Sequence, residues 1–411
     1  MTDVHHPWIA AGEASRLLGV SLPTLYAYVS RGFVRSQSLP GSSRERRYSR
    51  EDVERLRRRT EERRAPDKAA ARALQWGLPI LESSIALIDG RHLYYRGLDA
   101  AVLARSRSLE EVAALIWTGR LEVGPGLISV ERGALPGRGL PFVARAQSML
   151  AAAAVRDPHA MDCRPESVAR TGFRILALLT HTATDSDARP GTVHAALARA
   201  WNVGAAGEEI VRAALVLCAD HELNVSSFTA RCVASAGSHP YAVVVAGLAA
   251  LEGPKHGGAS ARVESMLESM RRAGSLSRAV AERLRRGEAI DGFGHPLYRD
   301  GDPRARLLLD QLGERYGKSA EYRFVREFAQ SAGRSTGEHP NIDFALAAVA
   351  RVLKLPPGSP LVLFAIGRSV GWIGHALEQY ATGQLIRPRA KYVGVPPVPA
   401  DDRFERTVPA R

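Results

Sequence analysis

Cysteine is scarce in this chain: 411 residues hold three, Cys163, Cys218 and Cys232, and none forms a Cys-x-x-Cys pair. That spacing argues against zinc and against a disulfide framework. Long apolar runs are missing as well, since no stretch reaches the ~18 uninterrupted apolar residues needed to span a bilayer. The first twenty residues lack a basic segment followed by an apolar core, so they do not read as a signal peptide. No internal repeat is found. These absences lead to the expectation of a cytoplasmic protein with no membrane partner and no bound metal. The hydrophobic content of 45% is ordinary for a globular protein. The length exceeds what one core usually organises, so two or three structural units are expected.

Charge is present but uneven. Residues 1–64 hold thirteen arginines against eight acids, a balance of +5, whereas the other 347 residues share the remaining +8 of the net +13. A concentrated basic unit is the electrostatic footprint of nucleic-acid contact. Within it, 10–18 reads as a helix with Ala14, Leu17 and Leu18 on one face, broken by Gly19. Ser21 is placed to cap a second helix with Pro23 in its first turn, Leu25 and Val29 inward, and Gly32 at its end. Residues 33–48 read as a hairpin wing with 39–43 at the tip, and Ser49 opens a third helix with Asp52 at the capping-box position. The phrases EASRLLGVSLPTLYAYVSRG and RRYSREDVERL resemble the DNA-binding domain of MerR-type and excisionase-like proteins. That resemblance implies DNA as a partner, with the second helix in the major groove and wing arginines on phosphates. The candidate contacts are Thr24, Tyr26, Arg31, Arg44, Arg46 and Arg47. A small helical docking module with a solvated arginine face is the alternative.

The expected organisation is a winged helix-turn-helix over 7–64, a polar linker over 65–75, a mainly helical region over 76–396 and a tail over 397–411. Helical patterns run over 108–116, 148–155, 207–217, 241–251, 263–272, 279–286 and 360–383, and 85–97 reads as a β-hairpin turning at Asp89-Gly90. Residues 121–200 are punctuated by Gly, Pro and Ala and give no sharper reading than helicity.

Five phrases then recur in a telling order: ADHELNVSSFTAR (219–231), GPKHGGAS (253–260), GFGHPLYRDGDPRA (292–305), HPNIDFALA (339–347), and FAIGRSVGWIGH (364–375) with LIRPRAKYVG (385–394). Two histidines, His256 and His295, sit among glycines, which lets backbone and side chain both approach a ligand. Arg368 lies in a segment apolar on nearly every side with no acid within a turn, so burying it calls for an anionic partner such as a substrate carboxylate. Asp343, read on its own, is a carboxylate in a helix's first turn, where the dipole favours it.

This ordered set resembles the citrate synthase family. The resemblance implies a mainly α fold, with a large helical domain and a smaller lid domain over about 257–348, appended here to the winged helix-turn-helix. It implies an acyltransferase that condenses acetyl-CoA with oxaloacetate to citrate and CoA, or propionyl-CoA to 2-methylcitrate. Acetyl-CoA is then a co-substrate, with no permanently bound cofactor. A transcriptional regulator using the same fold as a metabolite sensor is the third reading. Carried over by motif, Asp343 is the base for the methyl proton, His256 the donor to the thioester carbonyl and His295 the donor to the ketone. His221, Arg304, Arg368 and Arg387 match the family's oxaloacetate ligands. Arg387 reaches a neighbouring subunit's site there, which implies a homodimer with shared active sites. Arg299 is the candidate for coenzyme A phosphate, although the order of residues after His295 differs from the common pattern. Cys218 stands where many members carry a histidine.

Overall fold

The structure is a computed structural model that describes residues 8–38, 46–64, 81–123, 137, 139–185 and 191–397, with backbone alone at 58–64. It divides into two compact units, Met1–Glu82 and Ser83–Arg411. Each has its own hydrophobic core.

The first unit runs β1 (Trp8–Ala10), α1 (Ala11–Leu18), α2 (Leu22–Ser30), β2 (Ser36–Ser38), β3 (Arg46–Ser49) and α3 (Arg50–Arg64). Its strands form an antiparallel sheet in the order β1-β3-β2, with Tyr48 opposite both Ile9 and Ser36. The wing arms are therefore as expected, while β1 is an addition that three residues of sequence did not signal. The expected tip at 39–43 and Arg44 lie outside the described residues. Ala14, Leu18 and Leu25 are buried with Ile9, Val34, Tyr48 and Val53, whereas Leu17 and Val29 are only partly covered. Gly19 closes α1 at φ 63°, the left-handed region where a side chain is strained. Two capping expectations need correction. Ser21 occupies the N-cap position of α2, but its hydroxyl pairs with Thr24 Oγ1 at 2.9 Å and caps no backbone N–H. Ser49 Oγ does accept from Asp52 N at 3.3 Å, yet the Asp52 carboxylate turns away to Arg35 and Arg55, a stronger charge-assisted pairing than the capping box.

The second unit opens with the expected hairpin, β4 (Ala86–Ile88) against β5 (Leu93–Tyr95), extended by β6 (Leu98–Asp99). Asp89 Oδ1 accepts from His92 N at 2.9 Å and fixes the turn. Helices follow: α4 (Ala100–Ser106), α5 (Leu109–Thr118), α6 (Phe142–Arg156), α7 (Pro165–Thr184), α8 (Val193–Ala200), α9 (Ala205–Leu217), α10 (Val225–Ser235) and α11 (Pro240–Leu251). Then come α12 (Gly258–Arg271), α13 (Leu276–Arg285), α14 (Pro303–Tyr316), α15 (Ala320–Thr336), α16 (Ile342–Leu353) and α17 (Ser359–Thr382). Several start earlier than their apolar pattern does. α6 begins at Phe142 rather than 148, and α12 at Gly258 rather than 263. α7 falls in the stretch 121–200, whose Gly, Pro and Ala punctuation gives no helix bounds there. Pro165 instead occupies the first turn of α7, where a missing N–H removes no hydrogen bond.

The last helix, α17, organises this unit. It packs against α5, α7, α9, α10 and α11. By length and apolarity it could cross a bilayer, but 89% of its most apolar window is buried inside the protein. Two glycines let it press close to the segment after α9. A Cβ on Gly367 would lie 2.5 Å from Leu215 O, and one on Gly371 2.5 Å from Ala219 O, so neither position admits a side chain. Gly371 N donates to Ala219 O at 2.9 Å. That contact sets Asp220 and His221 beside Arg368.

Candidate active site

His256 sits in the turn between α11 and α12, with its N–H donating to Gly253 O at 2.9 Å. A Cβ on Gly257 would fall 2.6 Å from Leu251 Cγ, which explains the glycine after the histidine. The imidazole Nε2 meets Ser226 Oγ at 2.8 Å. Trp372 Nε1 donates to the same hydroxyl at 3.1 Å, and Ser226 Oγ lies 3.0 Å from Asn224 Oδ1. The serine has one proton to give. When it goes to His256 Nε2 rather than to Asn224 Oδ1, the neutral ring carries its own proton on Nδ1 and can donate from that side. Burial, and then the nearby Arg368 charge, push the His256 pKa down to about 4, so the ring is neutral at pH 7.

His295 and Asp343 are held on two loops fastened to each other. Phe293 bridges Pro340, Gly294 N donates to His339 O at 2.8 Å, and Asn341 N donates to Gly292 O at 2.8 Å. Asn341 adds a side-chain tie, its Nδ2 donating to Gly294 O at 3.1 Å. Its Oδ1 meanwhile accepts from Asp343 N at 3.1 Å and caps α16. Gly292, at φ 83°, would place a Cβ 2.8 Å from Phe344 Cβ, so the pairing of the loops depends on that glycine. Leu297 N donates to His295 Nδ1 at 3.2 Å, which puts the proton of the neutral ring on Nε2. Burial, then Arg304, take the His295 pKa down to about 4. The Asp343 carboxylate has the opposite problem. Burial raises its pKa, while a hydrogen bond from Ser260 Oγ at 2.8 Å and the Arg304 charge pull it back.

His221 completes this cluster. Its ring lies edge-on to His295 with centroids 5.1 Å apart, and its Nε2 meets Tyr298 OH at 3.0 Å. Burial, with Arg304 and Arg368 adding to it, holds its pKa well below the usual histidine range.

The two buried arginines differ. Arg304 is 2% exposed and its Nε and Nη2 are taken by Asp302, at 2.9 and 2.7 Å. Asp302 also accepts from Ile342 N at 3.1 Å, tying Arg304 to the start of α16. Only the Nη1 edge remains for a ligand. Arg368 is fully buried, and its Nε donates to Cys218 O at 2.8 Å. Its Nη1 has no partner among the described residues, and the guanidinium rests over Phe364 at 4.8 Å. Phe364 meets the His256 ring edge-on at 5.8 Å, which links the two sides of the site. The acid whose charge acts most on Arg368 is Asp220, a residue adjacent in space but far in sequence. His375 Nε2 stands 3.2 Å from Asp220 Oδ1, an ion-pair distance at an angle too poor for a hydrogen bond. Cys218, with its thiol pushed up to about 12 by burial, is no proton donor at neutral pH; its carbonyl is the useful group.

His221, His256, His295, Arg304, Arg368 and Asp343 thus converge. Arg387 does not join them within one chain. It is exposed in the irregular segment after α17. Arg299 is exposed too, in a cleft of about 460 Å³ between the hairpin turn and the His295 loop, which Arg91, His92 and Asp300 also line. That cleft is not lined by His256, His295 or Asp343. Among the described residues no group of His, Cys, Asp or Glu is placed to hold a metal.

Sequence reasoning missed the residues that hold these groups: Ser226, Trp372, Ser260, Asn341, Asp302, Tyr298 and Asp220. Asn341 and Asp302 carried a local signal, being helix N-caps next to a reactive residue. Ser226 and Trp372 carried none, since their contact spans 146 residues.

In the N-terminal unit Tyr26 is 51% exposed and Thr24 is half-buried. Arg35, Arg50 and Arg55 pair with Asp52, Glu13 and Asp52. Neither Arg31, Arg46 nor Arg47 has an ion pair among the described residues.

A family model for the citrate synthase C-terminal domain matches residues 73–389, and one for MerR HTH family regulatory proteins matches residues 10–60. The citrate synthase of Haloferax volcanii is 32% identical, over 77% of this chain and 94% of its own length. The 2-methylcitrate synthase of Shewanella oneidensis is 30% identical, over 75% of this chain and 91% of its own. Among solved structures, citrate synthase from Thermotoga maritima matches with a TM-score of 0.64 at 27% identity, covering 80% of this chain and 98% of that one.

Proposed function

The chain belongs to the citrate synthase family and carries a MerR-type helix-turn-helix unit, and from that premise we propose that it condenses acetyl-CoA with oxaloacetate to citrate and free CoA. The observation that carries this reading is a carboxylate of raised pKa, Asp343, placed in one site with two neutral imidazoles, His256 and His295. Asp343 takes a proton from the thioester methyl while His256 donates to the thioester oxygen, so charge does not build up on the enol. The enol carbon attacks the oxaloacetate ketone, whose oxygen receives a hydrogen bond from His295 Nε2. Water then cleaves the citryl thioester. Arg368 Nη1, the open edge of Arg304 and His221 hold the carboxylates, and Arg387 from a second copy of the chain completes the set in a homodimer. Arg299 faces the coenzyme A phosphates. Residues 257–348 close as a lid.

Thiol release with purified protein, oxaloacetate and either acetyl-CoA or propionyl-CoA tests the proposal. Release that requires oxaloacetate supports it, and no release with either thioester overturns it. Faster turnover of propionyl-CoA would make 2-methylcitrate the product. One methylene is discriminated by only ~1–3 kcal/mol of pocket fit, so the two readings share every residue named above.

A second role rests on the first unit. We infer that it binds DNA and makes the protein a regulator as well, because Arg31, Arg46 and Arg47 have no ion pair among the described residues, whereas Arg35, Arg50 and Arg55 of the same unit pair with its acids. Retention of genomic DNA by the full-length protein, weakening steeply with salt, checks this.

A further inference from the structure

The helix expected to enter the major groove has an unusual surface. α2 (LPTLYAYVS) contains no Arg, Lys, Asn, Gln, Asp or Glu. Its outward positions are Leu22, Pro23, Tyr26 and Ser30, with Leu22 at 41% and Tyr26 at 51% exposure one helical turn apart. Thr24 beside them is occupied with Ser21. Exposing two large apolar side chains on a nine-residue helix costs solvation unless a partner covers them.

The surroundings say what that partner is. Arg31 follows the helix directly as its C-cap, and Arg46 lies on β3. Leu25 of the helix and Tyr48 of β3 are buried in the same small core, so the helix and the wing pack in one unit. Arg31, Arg46 and Arg47, none with an ion pair among the described residues, thus belong to the same small unit as this apolar face, which suits a polyanion whose phosphates flank an apolar feature.

In a major groove the base edges divide by chemistry. Guanine is read by Arg or Lys and adenine by Asn or Gln, and α2 has none of these. The thymine 5-methyl is the one base feature that apolar side chains read. We propose that Leu22 and Tyr26 recognise thymine methyl groups, so that this unit selects duplex DNA by thymine position while Arg31, Arg46 and Arg47 hold the phosphates. This rests on the DNA-binding reading above.

The test uses the full-length chain at near-physiological salt. Duplexes are first selected from genomic fragments, and the thymines of the selected site are then replaced one at a time by deoxyuridine, which lacks only the methyl. Burial of one methyl group corresponds to about fourfold in affinity, so each contacted position should weaken binding by about that factor. The dependence on salt should stay the same, because the phosphate contacts are untouched. Leu22→Ala and Tyr26→Ala, both at exposed positions, should remove the preference for thymine over uracil, and Tyr26→Phe should keep it. A selected duplex that binds equally well with uracil throughout overturns the thymine assignment and leaves DNA binding standing. Failure to select any duplex overturns both and gives the apolar face to a protein partner.

Discussion

Ser260 Oγ donates to Asp343 Oδ1 at 2.8 Å, joining the first turns of α12 and α16 across 83 residues of sequence. Asp343 needs to be ionised to act as a base, and burial works against that. The serine hydrogen bond favours the ionised form and so lowers a pKa that desolvation has raised. On the proposed mechanism Ser260 is thus a positioning residue, which sets the pH at which Asp343 becomes available as a base.

Ser260→Ala should move the acid limb of the kcat/KM profile to higher pH, with activity recovering toward the alkaline plateau. The sign follows from removing an interaction that stabilises the carboxylate only. Turnover below the limb should fall by roughly tenfold or more, as expected for losing ~1.5–3 kcal/mol of hydrogen bonding to a charged group. Ser260→Thr, which keeps a hydroxyl, should sit close to the parent profile. A pH–rate profile unchanged in Ser260→Ala would remove the assigned role.

Asp343→Asn separates function from stability. Without the base, turnover should drop by at least ~10²-fold. Stability should change in the other direction. A carboxyl whose folded pKa is raised stabilises the fold below its unfolded pKa, and that contribution is lost as pH rises through the folded pKa. The asparagine variant is free of that loss, so its Tm should exceed the parent's at neutral pH and match it in acid. Thermal melts at both pH values check this, and a lower Tm at neutral pH would contradict it.

The two buried arginines should respond differently to mutation. Arg368 keeps one nitrogen edge without a partner, whereas Arg304 is committed to Asp302 through two. Arg368→Leu should weaken oxaloacetate binding far more than coenzyme A binding, each lost charge-assisted contact being worth ~1.5–3 kcal/mol. Asp302→Ala should chiefly damage folding, by about 3–5 kcal/mol, because it leaves a buried guanidinium uncompensated. Calorimetry with oxaloacetate and denaturant titration tell these apart. Equal effects of both variants on both measurements would refute the distinction.

Much of this was legible in the sequence, and its limits have physical reasons. Apolar periodicity located the last and longest helix, α17, but not α7 or α15, and the Gly-flanked histidines and Arg368 pointed to the candidate site. Periodicity failed where Pro165 opened a helix, because one residue type serves both to start and to stop helices. It failed at β1, which exists only because β3 offers it a ladder edge. The supporting shell was hidden for a different reason. Ser226, Trp372 and Asp220 act through contacts between distant segments, and nothing in their local sequence differs from an ordinary helix or turn. Asp220 also shows where reading along one helix misleads. Arg368 has no acid within a turn of α17, yet an acid lies beside it in space.

Deleting residues 1–66 should abolish DNA retention and leave oxaloacetate-dependent thiol release and the dimer intact. The two units have separate hydrophobic cores, one built around Leu25, Tyr48 and Val53 and the other around Trp372, Phe344 and Ile116, and no buried residue is shared. Every residue assigned to the condensation lies beyond Ser83, in the second unit. Loss of the first unit therefore removes Arg31, Arg46 and Arg47 while every residue of the second core stays in the chain. A dimeric body would present two such units, so the site bound by the full-length protein should be an inverted repeat with half-sites related by the two-fold axis. Retention should fall steeply with salt as the arginines release counterions from phosphates. Genomic selection with both proteins, together with thiol release and sedimentation, reads all of these at once. Equal retention of DNA by the truncated chain would move the interface off the first unit. Loss of thiol release on truncation would mean that the condensing unit depends on residues before 67 for its fold.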